Sequence, residues 1–244
     1  MERNFRLAGG IKIADNVRSE FRMNLSNTGR RFHLSKRDLD FLLRVLARDE
    51  REGTALLVLL TDAGTVDRVL DSPALFDRIL RSQGALEISD FLYFYLMVRG
   101  VFRESGLRDP DLADYVAGAL VDCSLCPSTQ PDSRSPLPFL VDWNEELEQA
   151  VTSYEKFFLS VQIGNFLLVA TGIFHEHLKE RSRRRGAPGL RYYEDFGAGI
   201  YKEASRHPLA REFFLEDRFF QLSESFRSSR RALNRLSDQF LCWN

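Results

Sequence analysis

The chain has 244 residues, with 34 basic and 35 acidic side chains, 44% apolar residues and 3 Cys. That is ample length for a buried core, and a formal net charge of -1 supplies no global attraction to nucleic acid or to an anionic membrane. The apolar content argues against disorder. Three cysteines in so long a chain exclude a disulfide framework and point to a reducing, cytoplasmic setting.

The opening residues, MERNFRLAGG, contain no apolar h-region and no small-residue cleavage site, so no secretory signal is expected. Phe5, Leu7, Ile11, Ile13 and Val17 hold no sustained period, and residues 1–34 read as an irregular arm. Helical patterning starts at Ser35, three residues before Asp38, as in a capping box. Leu39, Leu42, Leu43 and Leu46 then fall on one helical face. Gly53-Thr54 interrupts, and the apolar run 55–60 reads as helix by its leucine-rich neighbours. Ser72-Pro73 restarts the pattern, because proline loses nothing at a first helical position whose amide is unpaired anyway. Leu75, Phe76, Ile79 and Leu80 form the inward face of that helix.

Ser89-Asp90 opens FLYFYLMVRGVF, apolar nearly all round and therefore expected in the middle of a bundle. Gly106 ends it, and Asp109-Pro110 starts the next helix, with Leu112, Tyr115, Val116 and Ala119 inward. Residues 125–138 (LCPSTQPDSRSPLP) are a Pro/Ser-rich loop that cannot continue a helix. A long central helix is expected over 144–185, acidic at its start (Glu145, Glu146, Glu148) and basic at its end (Lys179, Arg181, Arg183, Arg184, Arg185), which complements the macrodipole. A further helix runs over 192–206 to His207-Pro208. The remainder is helical to Leu241, with a kink over 214–217.

Phenylalanine is over-represented, at 20 residues against 7 Tyr and 2 Trp; aromatics at helical spacing are expected to fill the core rather than wall a pocket. Residues 157–174 (FFLSVQIGNFLLVATGIF) carry no charge. Their polar interruptions Ser160, Gln162, Asn165 and Thr171 favour a buried core helix over a membrane span, and no transmembrane segment is expected. Gly164 and Gly172 would admit close neighbours.

Four further features bear on chemistry. His175 and His177 are two apart and point away from each other on a helix, whereas His177 and Glu180 share a face; the order is the reverse of the Glu-x-x-His of di-iron bundles, and no metal site is assigned. Cys123 and Cys126 have half the spacing of a zinc site without the other half. Arg181–Arg185 together with Arg227, Arg230, Arg231 and Arg235 would suit phosphates, but no stacking aromatics are interleaved, and nucleic-acid binding is not expected. In YYEDFGAGIY, Gly197 and Gly199 lack the rest of a dinucleotide loop and read as close-contact positions. Tyr192, Tyr193 and Tyr201 are candidates to line a cleft with His177 and Glu180. No hydrolase elbow, Walker loop or His-Glu-x-x-His motif occurs, so no catalytic residue is assigned.

Three blocks (Thr171-Gly172-Ile173-Phe174-x-Glu176-His177, Tyr192-Tyr193-Glu194-x-Phe196-Gly197 and Ala232-Leu233-Asn234-x-Leu236-Ser237-Asp238) resemble segments of an uncharacterised family of bacterial all-helical proteins. The stretches FLYFYLMVRGVF and LADYVAGALV are similar to that family's earlier half. The resemblance implies a single helical unit and carries over no activity.

The expected fold is all-α: a single-domain bundle of about eight helices over 35–244, centred on 91–101 and 157–174. Leu233, Leu236, Phe240 and Leu241 should face inward, with Asn234 and Asp238 satisfying buried polar groups or capping a neighbour. The leading function is a non-enzymatic interaction or regulatory protein with a protein partner or self-association. The alternative is a small-molecule, haem or metal-binding protein whose aromatic pocket borders His177.

Overall fold

The computed structural model describes residues 29–81, 87–124, 147–185 and 188–240, and every regular element among them is helical. A 3₁₀ helix, Arg30–Phe32, leads into α1 (Lys36–Leu46), α2 (Glu50–Leu59), α3 (Ala63–Leu70) and α4 (Pro73–Arg81). Local caps set these starts. Ser35 and Asp38 form a reciprocal capping box, while Asp49 and Asp62 each accept from a backbone N–H three residues on. Each cap satisfies a helical amide that has no partner within its own helix. Asp38 also accepts from the backbone N–H of Ser89 at 2.8 Å, tying the start of α1 to that of α5 (Asp90–Glu104).

Next in the chain come α6 (Pro110–Ser124), α7 (Ser153–Gly172), α8 (His175–Arg185), α9 (Leu190–Ser205), α10 (Pro208–Glu212) and α11 (Glu216–Phe240). Helices α7, α9 and α11 pack on one another, α11 also packs on α5 and α6, and α5 packs on α6. Helix α4 rests on α5, and α1 on α4. One cluster of buried side chains runs through these helices from Phe41 to Leu236. No residue of 157–174 is exposed, and among the described residues no helix is long and apolar enough to cross a membrane.

Eleven complete α-helices and one 3₁₀ helix lie among the described residues, more than the eight or so expected. Asp49 and Asp62 cap separate helices where one was anticipated. The long helix expected over 144–185 begins instead at Ser153, behind a Thr152–Glu155 capping box, and breaks after Gly172. The cause of that break lies on α11: Asn234 Nδ2 donates to the carbonyls of Thr171 and Gly172, and Ser237 Oγ donates to that of Ile173 at 2.9 Å. These carbonyls would otherwise accept from the next helical turn.

Asn234 therefore caps a neighbouring helix, as anticipated, and Leu233 and Leu236 are fully buried. Gly172 permits the approach, since a Cβ there would lie 2.7 Å from Leu233 Cβ. Gly199 has nothing within 4 Å of such a Cβ and is not a contact position. Leu80, expected inward, is exposed, because α4 turns Leu75 and Ile79 to the core. Part of the arm is regular as well. Arg31 in its 3₁₀ helix bonds Asp67 and Asp111 at 2.6 Å each and Asp114 at 3.3 Å, while Arg218 of α11 reaches Asp111 at 2.8 Å. Residues 1–28, the loop 125–138, the acidic start at 144–146, Cys126 and Leu241, and the side chains of Arg181, Arg184, Arg185 and Phe240 lie outside the described residues.

Candidate functional site

The phenylalanine excess forms a column of rings through the bundle. At its inner end Asn165 Oδ1 accepts from the hydroxyls of Tyr115 and Tyr201, each at 2.7 Å. Burial pushes both phenols well above the ordinary tyrosine range, so both stay protonated and can donate. Phe219 lies against Tyr115 and Tyr201, with centroids at 5.5 and 5.8 Å. Phe157 connects Phe219 to Phe158 at 6.2 and 5.3 Å. Phe158 then meets Tyr154 at 4.4 Å and Phe213 at 5.9 Å, where the column reaches the surface. Each ring of the column packs on its neighbours, which is core filling.

At that surface end Ser153 Oγ lies 2.7 Å from His207 Nε2, the spacing of a nucleophile and its base. The other ring nitrogen settles the role. The backbone N–H of Leu209 donates to His207 Nδ1 at 3.2 Å, so neutral His207 carries its proton on Nε2 and donates it towards Ser153. A histidine in that tautomer cannot take the Ser153 proton. The pair ties α10 to the start of α7, with Phe157 stacked on the imidazole at 4.8 Å.

Among the described residues, the same end carries the most exposed aromatic. Helix α10 closes in a Schellman turn: Phe214 N–H donates to Arg211 O at 3.1 Å, and Leu215 N–H to Ala210 O at 2.7 Å. Phe214 occupies the left-handed position of that turn, φ 55°, where glycine is the usual residue. Leu215 is buried beneath it, yet the Phe214 side chain is 78% exposed. Val151, before α7, is 89% exposed.

The residues proposed to line a cleft are dispersed. His177 and Glu180 lie on the exposed side of α8, with Phe174 edge-on to His177 at 6.3 Å. Tyr193 packs in a small satellite cluster with Ala170 and Leu178. Tyr192 is exposed and stacks on Phe196 at 6.3 Å. Tyr201 is fully buried in the main core at Asn165, on a different face of α9. The buried histidine of the segment is His175, whose Nε2 lies 3.1 Å from Glu176 and 3.5 Å from Asp238.

Among the described residues no three His, Cys, Asp or Glu side chains group as metal ligands. Three of the arginines considered for phosphate are engaged internally. Arg230 reaches buried Glu194 at 2.5 Å, Arg227 reaches Asp195 at 2.7 Å, and Arg235 lies 3.8 Å from Glu104. Cys123 is half-buried near the end of α6.

The only advance signal for Phe214 is the kink expected over 214–217. The His207 tautomer follows from a local cap bond to Leu209, whereas the Ser153 contact and the exposure of Phe214 depend on tertiary packing and have no local signature. Comparison with protein-family models, with curated proteins and with solved structures returns no match.

Proposed function

We propose that the chain is a non-enzymatic interaction protein that engages another protein through the aromatic end formed by α7, α10 and the start of α11. The supporting observation is Phe214. A left-handed backbone costs a non-glycine residue roughly 1–2 kcal/mol, and a largely exposed ring returns little of that by burial. Folding alone would favour glycine here. Backbone strain of this kind recurs at functional positions, and an aromatic that enters a partner's pocket gains its burial only in the complex. Tyr154, Phe158 and Phe213 form a half-buried ring cluster at the same end.

The test separates folding from binding. Affinity isolation from the native host, read by native mass spectrometry, should retain one stoichiometric protein on the natural chain and lose it with Phe214→Gly. That variant should unfold at the same or higher denaturant concentration than the natural chain. A Phe214→Gly chain that keeps the partner refutes the reading, as does a natural chain carrying a small-molecule mass and no protein.

A further inference from the structure

Helix α2 turns most of its large apolar residues outward. Its final turns read ALLVL. Successive residues are about 100° apart on a helix, so four consecutive aliphatics cannot share one face. Leu56 is the one turned to the protein. Val58, roughly 160° from it, points directly away and is 64% exposed, with Leu57 and Leu59 on its flanks at 41% and 47%. The inward side is small: a Cβ at Gly53 would lie 3.6 Å from Leu43 of α1 and 3.9 Å from Ala47 just after it.

The outward stripe reads Arg51, Thr54, Ala55, Val58 and, just past the helix, Asp62, all exposed. This order is self-complementary about a point between Leu56 and Leu57. In an antiparallel pair with two-fold symmetry around that point, residue 55 meets residue 58 of the second copy and residue 54 meets residue 59. Residue 51 then meets residue 62, which sets Arg51 of each chain against Asp62 of the other. That is the reciprocal pattern an isologous contact requires. The backbone favours it too, because each helix places its positive N-terminus beside the other's negative C-terminus.

We infer that α2 is a self-association surface and that its occupant is a second copy of this chain, packed antiparallel with Val58 at the centre. A ten-residue helix is about 15 Å long, so this contact falls short of the roughly 800 Å² per partner of a tight interface. The dimer is therefore weak and concentration-dependent. This surface is independent of the aromatic end, and a dimer would present two such ends.

Sedimentation velocity of the full chain over a wide concentration range is the test. The natural chain should shift from monomer to dimer as concentration rises. Val58→Asp should raise the dissociation constant by about 30-fold or more, the effect of losing a central apolar anchor. Arg51→Glu removes both symmetric ion pairs and should raise it by about fivefold at low salt, as expected for two weak exposed pairs. Both positions are exposed, so unchanged helical circular dichroism should accompany the loss.

Register is read separately by mixing Ala55→Cys chains with Val58→Cys chains and identifying the cross-linked tryptic peptides. A 55–58 disulfide across chains supports the antiparallel pair. A chain monomeric at every concentration overturns the inference and leaves the face to a different protein. A dimer indifferent to Val58→Asp, or one that gives no 55–58 cross-link, overturns it as well.

Discussion

Phe214 and Gly106 occupy the same backbone position in two copies of one turn. After α5, Gly106 N–H donates to Arg103 O and Leu107 N–H to Phe102 O; after α10, Phe214 and Leu215 make the corresponding bonds to Arg211 and Ala210. Both central residues have positive φ, 82° and 55°. One turn uses the residue that suits this conformation; the other carries a phenylalanine.

The comparison predicts opposite outcomes for reciprocal substitutions. Phe214→Gly should stabilise the chain by about 1 kcal/mol, because relief of the left-handed strain exceeds the entropy lost by ordering a glycine. Gly106→Ala should destabilise it by about 1 kcal/mol for the same conformational reason. Open space surrounds a Cβ at Gly106, so no clash contributes. Urea denaturation of the three chains measures both; a destabilised Phe214→Gly would mean that the ring contributes to folding.

Two other glycines separate packing from propensity. A Cβ at Gly172 would meet Leu233 Cβ at 2.7 Å, beside the α11 backbone, where no flexible end can swing away. Gly172→Ala should force α7 and α11 apart and cost about 2 kcal/mol or more. Gly199, on α9 with nothing nearby, should behave as an ordinary helical glycine, and Gly199→Ala should add up to about 1 kcal/mol. Thermal unfolding followed by circular dichroism distinguishes the pair by sign.

Which features could be read from sequence follows from how far apart their causes lie. Ser35, Ser89 and Asp109 announce helix starts because each cap bonds an amide two or three residues on. The burial of 157–174 is equally legible, since a helix without charge must be covered on every side. The break after Gly172 is not, because its determinants, Asn234 and Ser237, lie more than sixty residues away. The separate placements of His177, Glu180, Tyr192, Tyr193 and Tyr201 are illegible for a related reason. Neighbours in sequence on α8 and α9 point in different directions, and the partner of Tyr201 is Asn165 on α7. Composition foretold a large aromatic core but not its column order, which arises from rings on four helices.

Buried phenols offer a matched pair. Tyr95 is fully buried and its hydroxyl has no hydrogen-bond partner among the described residues, and burial pushes its pKa above the ordinary range. Tyr95→Phe deletes an unsatisfied polar group and should leave stability unchanged or raise it by about 1 kcal/mol. Tyr201 donates to Asn165, so Tyr201→Phe should cost about 1 kcal/mol, the ordinary net value of one hydrogen bond. Equal losses in both variants, measured by equilibrium denaturation, would show that Tyr95 has found a partner such as a buried water.

Asp114 reverses the usual acid response of a salt-bridged carboxylate. Burial raises its pKa above the ordinary aspartate value, outweighing the opposing pull of Arg31 and of the backbone N–H groups of Arg31 and Gly29. A carboxyl whose folded pKa is raised contributes stability that is complete below the unfolded value, about 3.9, and that is lost as pH climbs through the folded value. Arg31 keeps its charge throughout: burial opposes it, but hydrogen bonds to Asp67 and Asp111 hold the guanidinium above its ordinary range. Asp114→Asn removes the titration of this site together with one of its two acceptor oxygens, a loss that does not itself vary with pH. Relative to the natural chain, that variant should therefore gain ground as pH rises above the unfolded value, about 3.9, and the difference should level off once Asp114 is ionised. Parallel urea titrations at stepped pH measure the gap directly. A gap that moves in favour of the natural chain over the same interval would mean that Arg31 and the two amides outweigh the desolvation of the carboxylate.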